Sequence, residues 1–316
     1  MRKTSVYLPE DLKDDLAALA RRWDRSEAEL LRLAVERLVR SARADAAPGA
    51  PVPARVPGPR LVGVGVGPSD PGLVTERALT TLRAADRVYA AATATDAIGR
   101  AEAIVRAAAP EIEVDRLVFE IGDDAPSRAA SLEVAADAVV AGLDTGAAVA
   151  FVTLGDPNVY STFPALARLV TARRPAVPVA TVPGVMAFQE LAAEAGTVLT
   201  EEGERLAVVV ADGDAGALEA ALAEPGCTVV VYKGGRHLPA VARVLAEHDR
   251  LDGAVVGEML GLPGGRWVPV DAVADRPASY LATVVVPARR GSGGSADRSR
   301  RSPSLRGRPD DAGSDG

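Results

Sequence analysis

"AVAFVTLGDPNVYSTF", residues 148–163, holds the key to the fold. Its apolar half, 148–153, reads as a strand buried on both faces, as a parallel sheet requires. The run then stops at Gly155-Asp156-Pro157 and gives way to a polar, aromatic turn before the helical spacing of 163–173. Four other segments repeat this design of an apolar run closed by glycine or proline. They are "LVGVGVGPSDP" from Leu61, "ATVPGVMAFQELAAEAG" from Ala180, "VVVYKGGRH" from Val229 and "AVVGEML" from Ala254. In an open sheet, ligands lie beyond the carboxyl ends of the strands, so such loops are expected to converge on one crevice.

Strand signals occur at 61–66, 87–91, 147–153, 177–182, 206–210, 228–232, 254–257 and 282–286. Helical stretches fall between the earlier ones, at 73–84, 129–143 and 163–173. This alternation indicates an α/β protein. The closer spacing of strands after Leu206 predicts a second, mixed sheet and hence two lobes.

Composition bounds the rest. The chain has 316 residues, 48% of them hydrophobic, which is enough for two packed domains with appendages. The single cysteine, Cys227, excludes an internal disulfide framework, and its place at the head of an apolar strand marks it as core. Two histidines and one cysteine leave no His/Cys metal cluster, so no metal site is assigned; carboxylate-only Mg²⁺ binding stays open. No apolar run reaches membrane-spanning length and the N-terminus lacks a signal-type apolar region, so a soluble, cytoplasmic protein with no membrane partner is expected. The net charge of −7 argues against nonspecific nucleic-acid binding by the chain as a whole.

The chain divides into residues 1–43, compact and periodic; a Pro/Ala linker at 44–59; an α/β body whose two domains are placed at 60–183 and 184–289; and a polar tail at 290–316 that cannot bury a core. The first segment reads strand–helix–helix. Pro9 opens one helix, and the Ser26/Glu29 capping box opens another carrying Leu30, Leu33, Ala34 and Leu38. A lone strand needs a mate, which a second chain could supply. This segment resembles the ribbon-helix-helix (Arc/CopG-like) module, in which a paired ribbon enters the DNA major groove. The resemblance implies that Lys3, Ser5 and Tyr7 face DNA; dimerisation without DNA binding is the alternative.

In the body, the GxGxG run at Gly63, Gly65 and Gly67 is neither a dinucleotide fingerprint nor a P-loop. Alone it is compatible with a plain tight turn. Asp156 can serve as a ligand acceptor or a turn aspartate, and Tyr160, Ser161 and Thr162 can serve a site or simply open the next helix. Taken in order, G-x-G-P-x-D-P, L-G-D-P-x-x-Y-S-T-F, V-P-G-x-x-x-F and K-x-G-R-H resemble the tetrapyrrole (corrin/porphyrin) methyltransferase family over roughly 60–288.

That resemblance implies two α/β domains with S-adenosylmethionine in the cleft between them, and a homodimer. It places Pro68, Leu154, Gly155, Asp156, Val159, Met186, Ala187, Lys233, Glu258, Met259 and Leu260 around the cofactor. It further implies a tetrapyrrole substrate of the precorrin-2 type, methylated at C-20 in cobalamin biosynthesis. The alternatives are cobalt-factor II, another tetrapyrrole, or a DNA-binding corrinoid-responsive regulator. Arg236, His237, Lys233 and Arg100 would supply a basic trough for the substrate's carboxylates. Tyr160, His237 and Asp156 are the candidates for a general base. Ser69 departs from the glycine common in the family's first loop, and "GEMLGLPGGRW" from its usual charged run.

Overall fold

The computed structural model describes residues 9–23, 26–32, 58–120, 124–211, 215–262, 264–279 and 281–290. Two compact units are present, Met1–Val56 and Pro57–Gly316. In the first unit, helix α1 spans Glu10–Trp23 and begins with the Lys13 amide bonded to the Pro9 carbonyl at 3.0 Å. A second helix, α2, covers residues 27–32. The Ser26 hydroxyl accepts from the Glu29 amide at 3.2 Å, which is the side-chain half of a capping box. Lys3, Ser5, Tyr7, Leu33, Ala34 and Leu38 lie outside the described residues.

The body contains two five-stranded sheets. The first is built from β1 (Arg60–Gly65), β2 (Arg87–Ala92), β3 (Asp115–Val118), β4 (Ala148–Thr153) and β5 (Val179–Val182), in the order β3-β2-β4-β1-β5. All its pairings are parallel. Every residue of β4 is buried, which explains its unbroken apolar sequence. One face carries α5 (Ala125–Asp144) and α6 (Phe163–Arg173), whose Val139, Leu143, Phe163 and Leu166 pack on Leu61, Tyr89 and Phe151. Helices α3 (Glu76–Arg83) and α4 (Arg100–Ala108) complete this half of the body.

Helix α7 (Ala187–Ala195) then carries the chain to the second sheet, ending at Gly196 with φ 65°. That sheet holds β6 (Arg205–Val210), β7 (Cys227–Tyr232), β8 (Val255–Glu258), β9 (Arg266–Pro269) and β10 (Thr283–Val286), in the order β6-β7-β10-β8-β9. Only β6 and β7 run parallel; the other pairs are antiparallel. Phe188, Leu191 and Ala195 of α7 pack on Val230, Val255 and Val285. Helices α8 (Gly216–Leu222) and α9 (Leu238–Glu247) join the core with Val229, Val231, Val256 and Val284. Cys227 is a buried core residue with a free thiol.

Local chemistry corrects several boundaries. The helix expected from Leu73 begins at Glu76, because Pro71–Leu73 forms a 3-10 turn capped by Asp70 and Thr75 caps α3 through the Ala78 amide. Helix α5 starts earlier than Ala129, since Asp124 accepts from the Ser127 amide and Pro126 suits a first turn. Strands β3 and β9, too short and charged to read as strands, lie at sheet edges. Among the described residues, no helix is long and apolar enough to cross a membrane.

Two buried charges fasten the frame. Arg250 is buried, and its guanidinium donates to the carbonyls of Leu222, Glu224, Cys227 and Pro287 at 2.7–3.4 Å. Glu102 of α4 is fully buried and takes a bidentate pair of bonds from Arg116 of β3, at 2.7 and 2.9 Å, with Arg106 at 2.7 Å. The Arg116 hydrogen bonds hold the Glu102 carboxyl below the usual carboxylate range. A carboxyl with a depressed native pKa stabilises the fold above its unfolded pKa and loses that contribution as pH falls through the native value. Glu102→Gln should therefore lower the thermal midpoint at pH 7 and flatten its decline below about pH 5; parallel acid limbs for the two proteins would refute this.

Candidate functional site

Strands β1 and β4 are neighbours whose connections run in opposite directions along the sheet, β1 leading past β4 to β2 and β4 past β1 to β5. The pairing continues past the strands: the Val66 amide donates to the Thr153 carbonyl at 3.0 Å and the Gly155 amide to the Gly67 carbonyl at 2.9 Å. Gly67 and Gly155 both hold a left-handed backbone, φ 81° and 67°. Beyond the bridge, the Gly155 carbonyl lodges between the α-carbons of Gly65 and Gly184. A Cβ on Gly65 would lie 2.6 Å from the Gly184 nitrogen, and one on Gly184 would lie 2.9 Å from the Gly65 α-carbon. Three loops distant in sequence thus meet where no side chain fits. Gly63 serves another purpose, since a Cβ there would strike the Phe163 ring at 2.6 Å.

Asp156 secures the junction. One carboxylate oxygen accepts from the Asn158 amide at 2.8 Å, the other from the Gly184 amide at 3.2 Å. Asn158 Nδ2 donates to Thr181 Oγ1 at 3.1 Å, joining the β4 turn to β5 a second time. Of the two readings of Asp156, the turn role is therefore visible; each oxygen keeps a lone pair for a further donor. Pro68 and Pro157 are buried, and the Ser69 hydroxyl donates to the Pro68 carbonyl. Leu154 and Val159 are half-buried. Thr153 Oγ1 is buried with no hydrogen-bond partner among the described residues. Next to it, the direction a Gly155 side chain would take opens onto free space.

The second sheet brings its strand ends to the same region. Lys233 after β7 (φ 58°), Met259 after β8 (φ 49°) and Tyr160 after β4 (φ 48°) hold left-handed backbones without being glycine. Such positions cost on the order of 1–2 kcal/mol each and gather where a loop must be aimed. Among the described residues only Asp249 shares the feature elsewhere. Lys233 and Met259 are exposed, and Met186 and Ala187 at the head of α7 are half-buried. The Glu258 carboxylate accepts from the Ser279 amide at 3.0 Å and from Arg266 at 3.2 Å. Leu260 packs inward with Leu191 and Val285. The Glu258 and Leu260 side chains therefore hold the β8 loop, which leaves its backbone groups and the exposed Met259 side chain for a ligand.

Two contacts stitch these sets together. A Cβ on Gly261 would lie 2.7 Å from the Asp70 nitrogen and 3.1 Å from the Glu190 carboxylate, so the β8 loop abuts both the β1 loop and α7. The Tyr160 hydroxyl donates to the Val208 carbonyl of β6 at 3.2 Å, and its ring meets Tyr232 edge-on at 5.9 Å. Pro68, Leu154, Gly155, Asp156, Val159, Met186 and Ala187 therefore surround one junction, with Lys233, Glu258, Met259 and Leu260 on the loops of the second sheet. Arg236 and His237 are exposed on the 3-10 turn Gly235–His237 beyond β7. Arg100 is exposed at the start of α4, a helix that packs against the 3-10 turn Pro71–Leu73 of the β1 loop. Among the base candidates, Tyr160 directs its proton at a carbonyl. Burial pushes the neighbouring Tyr232 phenol up to about 12, so it stays protonated at neutral pH.

Thr153, the Gly65–Gly184 contact and the Tyr160–Val208 bond have no signature in the sequence, because each depends on which loops become neighbours. A groove of about 550 Å³ lies at the opposite, amino ends of β2–β4; besides its Arg83–Glu111 and Arg87–Asp115 pairs it is lined by the carboxylates of Asp86 and Glu113. Among the described residues, no group of three or more His, Cys, Asp or Glu could hold a metal ion.

Residues 60–272 match the family described as Tetrapyrrole (Corrin/Porphyrin) Methylases. The chain is 32% identical over 236 residues to the precorrin-2 C(20)-methyltransferase of Sinorhizobium sp, covering 72% of this chain and 95% of that one. It is 30% identical to the cobalt-precorrin-2 C(20)-methyltransferase of Salmonella typhimurium, with coverage of 72% and 95%. Among solved structures, a cobalt precorrin-4 methyltransferase aligns with a TM-score of 0.58 at 22% identity, over 72% of this chain and 94% of that one. A Thermus thermophilus uroporphyrin-III C-methyl transferase complexed with S-adenosyl homocysteine aligns at 0.51, also at 22% identity, over 72% and 92%. The motifs, the two sheets and these matches agree: the chain belongs to the tetrapyrrole (corrin/porphyrin) methylase family.

Proposed function

We propose that this protein is an S-adenosylmethionine-dependent methyltransferase acting at C-20 of a precorrin-2-type tetrapyrrole. The observation that carries the reading is the junction of the β1, β4 and β5 loops at Gly65, Gly155 and Gly184, faced by the left-handed loops after β7 and β8. Over the same residues the chain is at least 30% identical to relatives named for C-20 methylation of precorrin-2 and cobalt-precorrin-2.

The residues present suit a sulfonium cofactor. The buried Thr153 hydroxyl has an unfilled hydrogen bond, the open space beside Gly155 admits a ligand against the backbone, and Asp156 offers one carboxylate. Pro68, Leu154, Gly155, Asp156, Val159, Met186, Ala187, Lys233 and the β8 loop from Glu258 to Leu260 would hold it. When bound, S-adenosylmethionine supplies an electrophilic methyl group with a leaving sulfur that departs neutral. The new bond forms from the C-20 carbon to that methyl, the carbon–sulfur bond breaks with its electron pair on sulfur, and the ring loses a proton to base or solvent. This displacement needs alignment above all, and well-oriented partners gain about 7–11 kcal/mol from orientation alone. The rigid β4 turn meets that need, with Asp156 clamping Gly184 and Pro157 fixing the backbone.

The acidic side chains of such a substrate require local positive charge on a chain of net charge −7. Lys233, Arg236 and His237, each exposed after β7, would supply it together with the exposed Arg100 at the start of α4.

Incubation of the protein with S-adenosylmethionine and metal-free or cobalt-bearing precorrin-2 should add one methyl group, read by mass spectrometry; no methylation of either ring would end this reading. Gly184→Ala should weaken S-adenosylhomocysteine binding about fivefold or more, since overpacking a rigid contact costs ~1–3 kcal/mol. Gly226→Ala, where a Cβ meets only open space, should bind like the parent. Equal affinities in the two variants would remove the glycine junction from the site. Arg236→Ala should raise the Michaelis constant for the tetrapyrrole more than that for the cofactor, and an equal or absent change would take Arg236 out of the trough.

A further inference from the structure

Tyr160 combines features that neither cofactor contact nor core packing requires. Its backbone is left-handed, at φ 48°, a region that tyrosine ordinarily avoids. The side chain is 54% exposed, so burial does not hold it in place. From the β4 turn it nevertheless reaches the second sheet twice. Its hydroxyl donates to the carbonyl of Val208 on the edge strand β6, at 3.2 Å. Its ring meets Tyr232 at the end of β7 edge-on, with centroids 5.9 Å apart and planes at 75°. Tyr232 in turn packs edge-on against Phe188 in the first turn of α7, at 6.4 Å. The β4 turn that carries Tyr160 is itself tied to the β5 loop, where the Gly184 amide donates to Asp156. A continuous set of contacts thus runs from Gly184 through Asp156 and Tyr160 to β6, β7 and α7.

We propose that Tyr160 is a positioning residue, a latch that fixes the β4 turn against the edge of the second sheet and so sets the spacing of the loops that receive methyl donor and ring. The proposal rests on the methyl-transfer reading and deepens it. The latch acts through Val208 and Tyr232 and transfers no proton. Releasing it leaves the reacting groups intact but lowers the fraction of molecules in which the two sets of loops are correctly spaced. An apparent dissociation constant scales inversely with that fraction. Both substrates therefore bind more weakly by the same factor, while saturation with both restores turnover. A direct contact to one substrate would affect that substrate alone, and a general base would lower kcat with the Michaelis constants unmoved.

The test uses the full chain with Tyr160→Phe, which keeps the ring and removes the hydroxyl, and Tyr160→Gly, which removes the side chain and suits the left-handed backbone. Loss of one hydrogen bond predicts that Tyr160→Phe raises the Michaelis constants for S-adenosylmethionine and the tetrapyrrole together by roughly 3–10-fold, with kcat within about twofold of the parent. Tyr160→Gly should show a larger joint rise at an undiminished thermal midpoint, which separates the latch from a purely structural role. Unchanged constants in Tyr160→Phe, a rise confined to one substrate, or a fall in kcat alone would overturn the latch. Amide hydrogen exchange across residues 206–210 is read on the same proteins without ligand. Faster exchange in Tyr160→Phe supports the tether and unchanged exchange overturns it, whatever the reaction. Failure of the methyl-transfer reading shows separately, as a parent protein that binds no S-adenosylhomocysteine.

Discussion

The body depends on one close approach: the Gly155 carbonyl held between the α-carbons of Gly65 and Gly184. Carbonyl oxygen against Cα–H is a weak attraction, and by itself it would decide little. Its force lies in exclusion, since any side chain at either glycine would push backbone apart. The contact sets the distances among the β1, β4 and β5 loops, and the Asp156–Gly184 bond closes the gap from the other side. Strand order makes this possible, because β1 lies between β4 and β5 and three loops distant in sequence leave adjacent strands.

The three glycines of the GxGxG run show how one motif divides its work. Gly63 makes room for a ring, Gly65 for a neighbouring loop, and Gly67 supplies a left-handed turn. Replacing them would fail for different reasons: a steric clash with a side chain that can shift, a clash with backbone that cannot, and a conformational penalty. The motif is thus specific to its surroundings and is poor evidence for a ligand when read alone.

The parallel strands were legible because burial on both faces writes an unbroken apolar run, as in β4. Edge strands β3 and β9, written Asp-Arg-Leu-Val and Arg-Trp-Val-Pro, carry too little of that pattern, and their pairing follows from tertiary neighbours such as the Glu102–Arg116 bridge. Of the site, the five strand-terminal loops could be picked out from glycine and proline. The left-handed backbones at Tyr160, Lys233 and Met259 could not, since these residue types ordinarily avoid that region. Nor could the sequence separate residues that build the loops from those left facing the cleft. Glu258 and Leu260 hold the β8 loop through Ser279, Arg266 and Leu191, whereas Met259 between them is exposed.

The distribution of polar groups follows the chemistry of a displacement. A reaction that generated a strong base or an unstable anion would call for a preorganised donor set aimed at the developing charge. Around the β4 turn the carboxylate of Asp156 and the hydroxyl of Tyr160 are instead engaged in holding loops. Tyr232 is kept protonated by burial. Immobilising these groups costs reactivity and gains rigidity. For a methyl transfer whose barrier yields chiefly to alignment, that exchange is favourable, because a small misplacement can cost about 100-fold in rate. The left-handed residues at the ends of β4, β7 and β8 belong to the same economy: local strain is tolerated where it fixes the direction in which a loop leaves its strand.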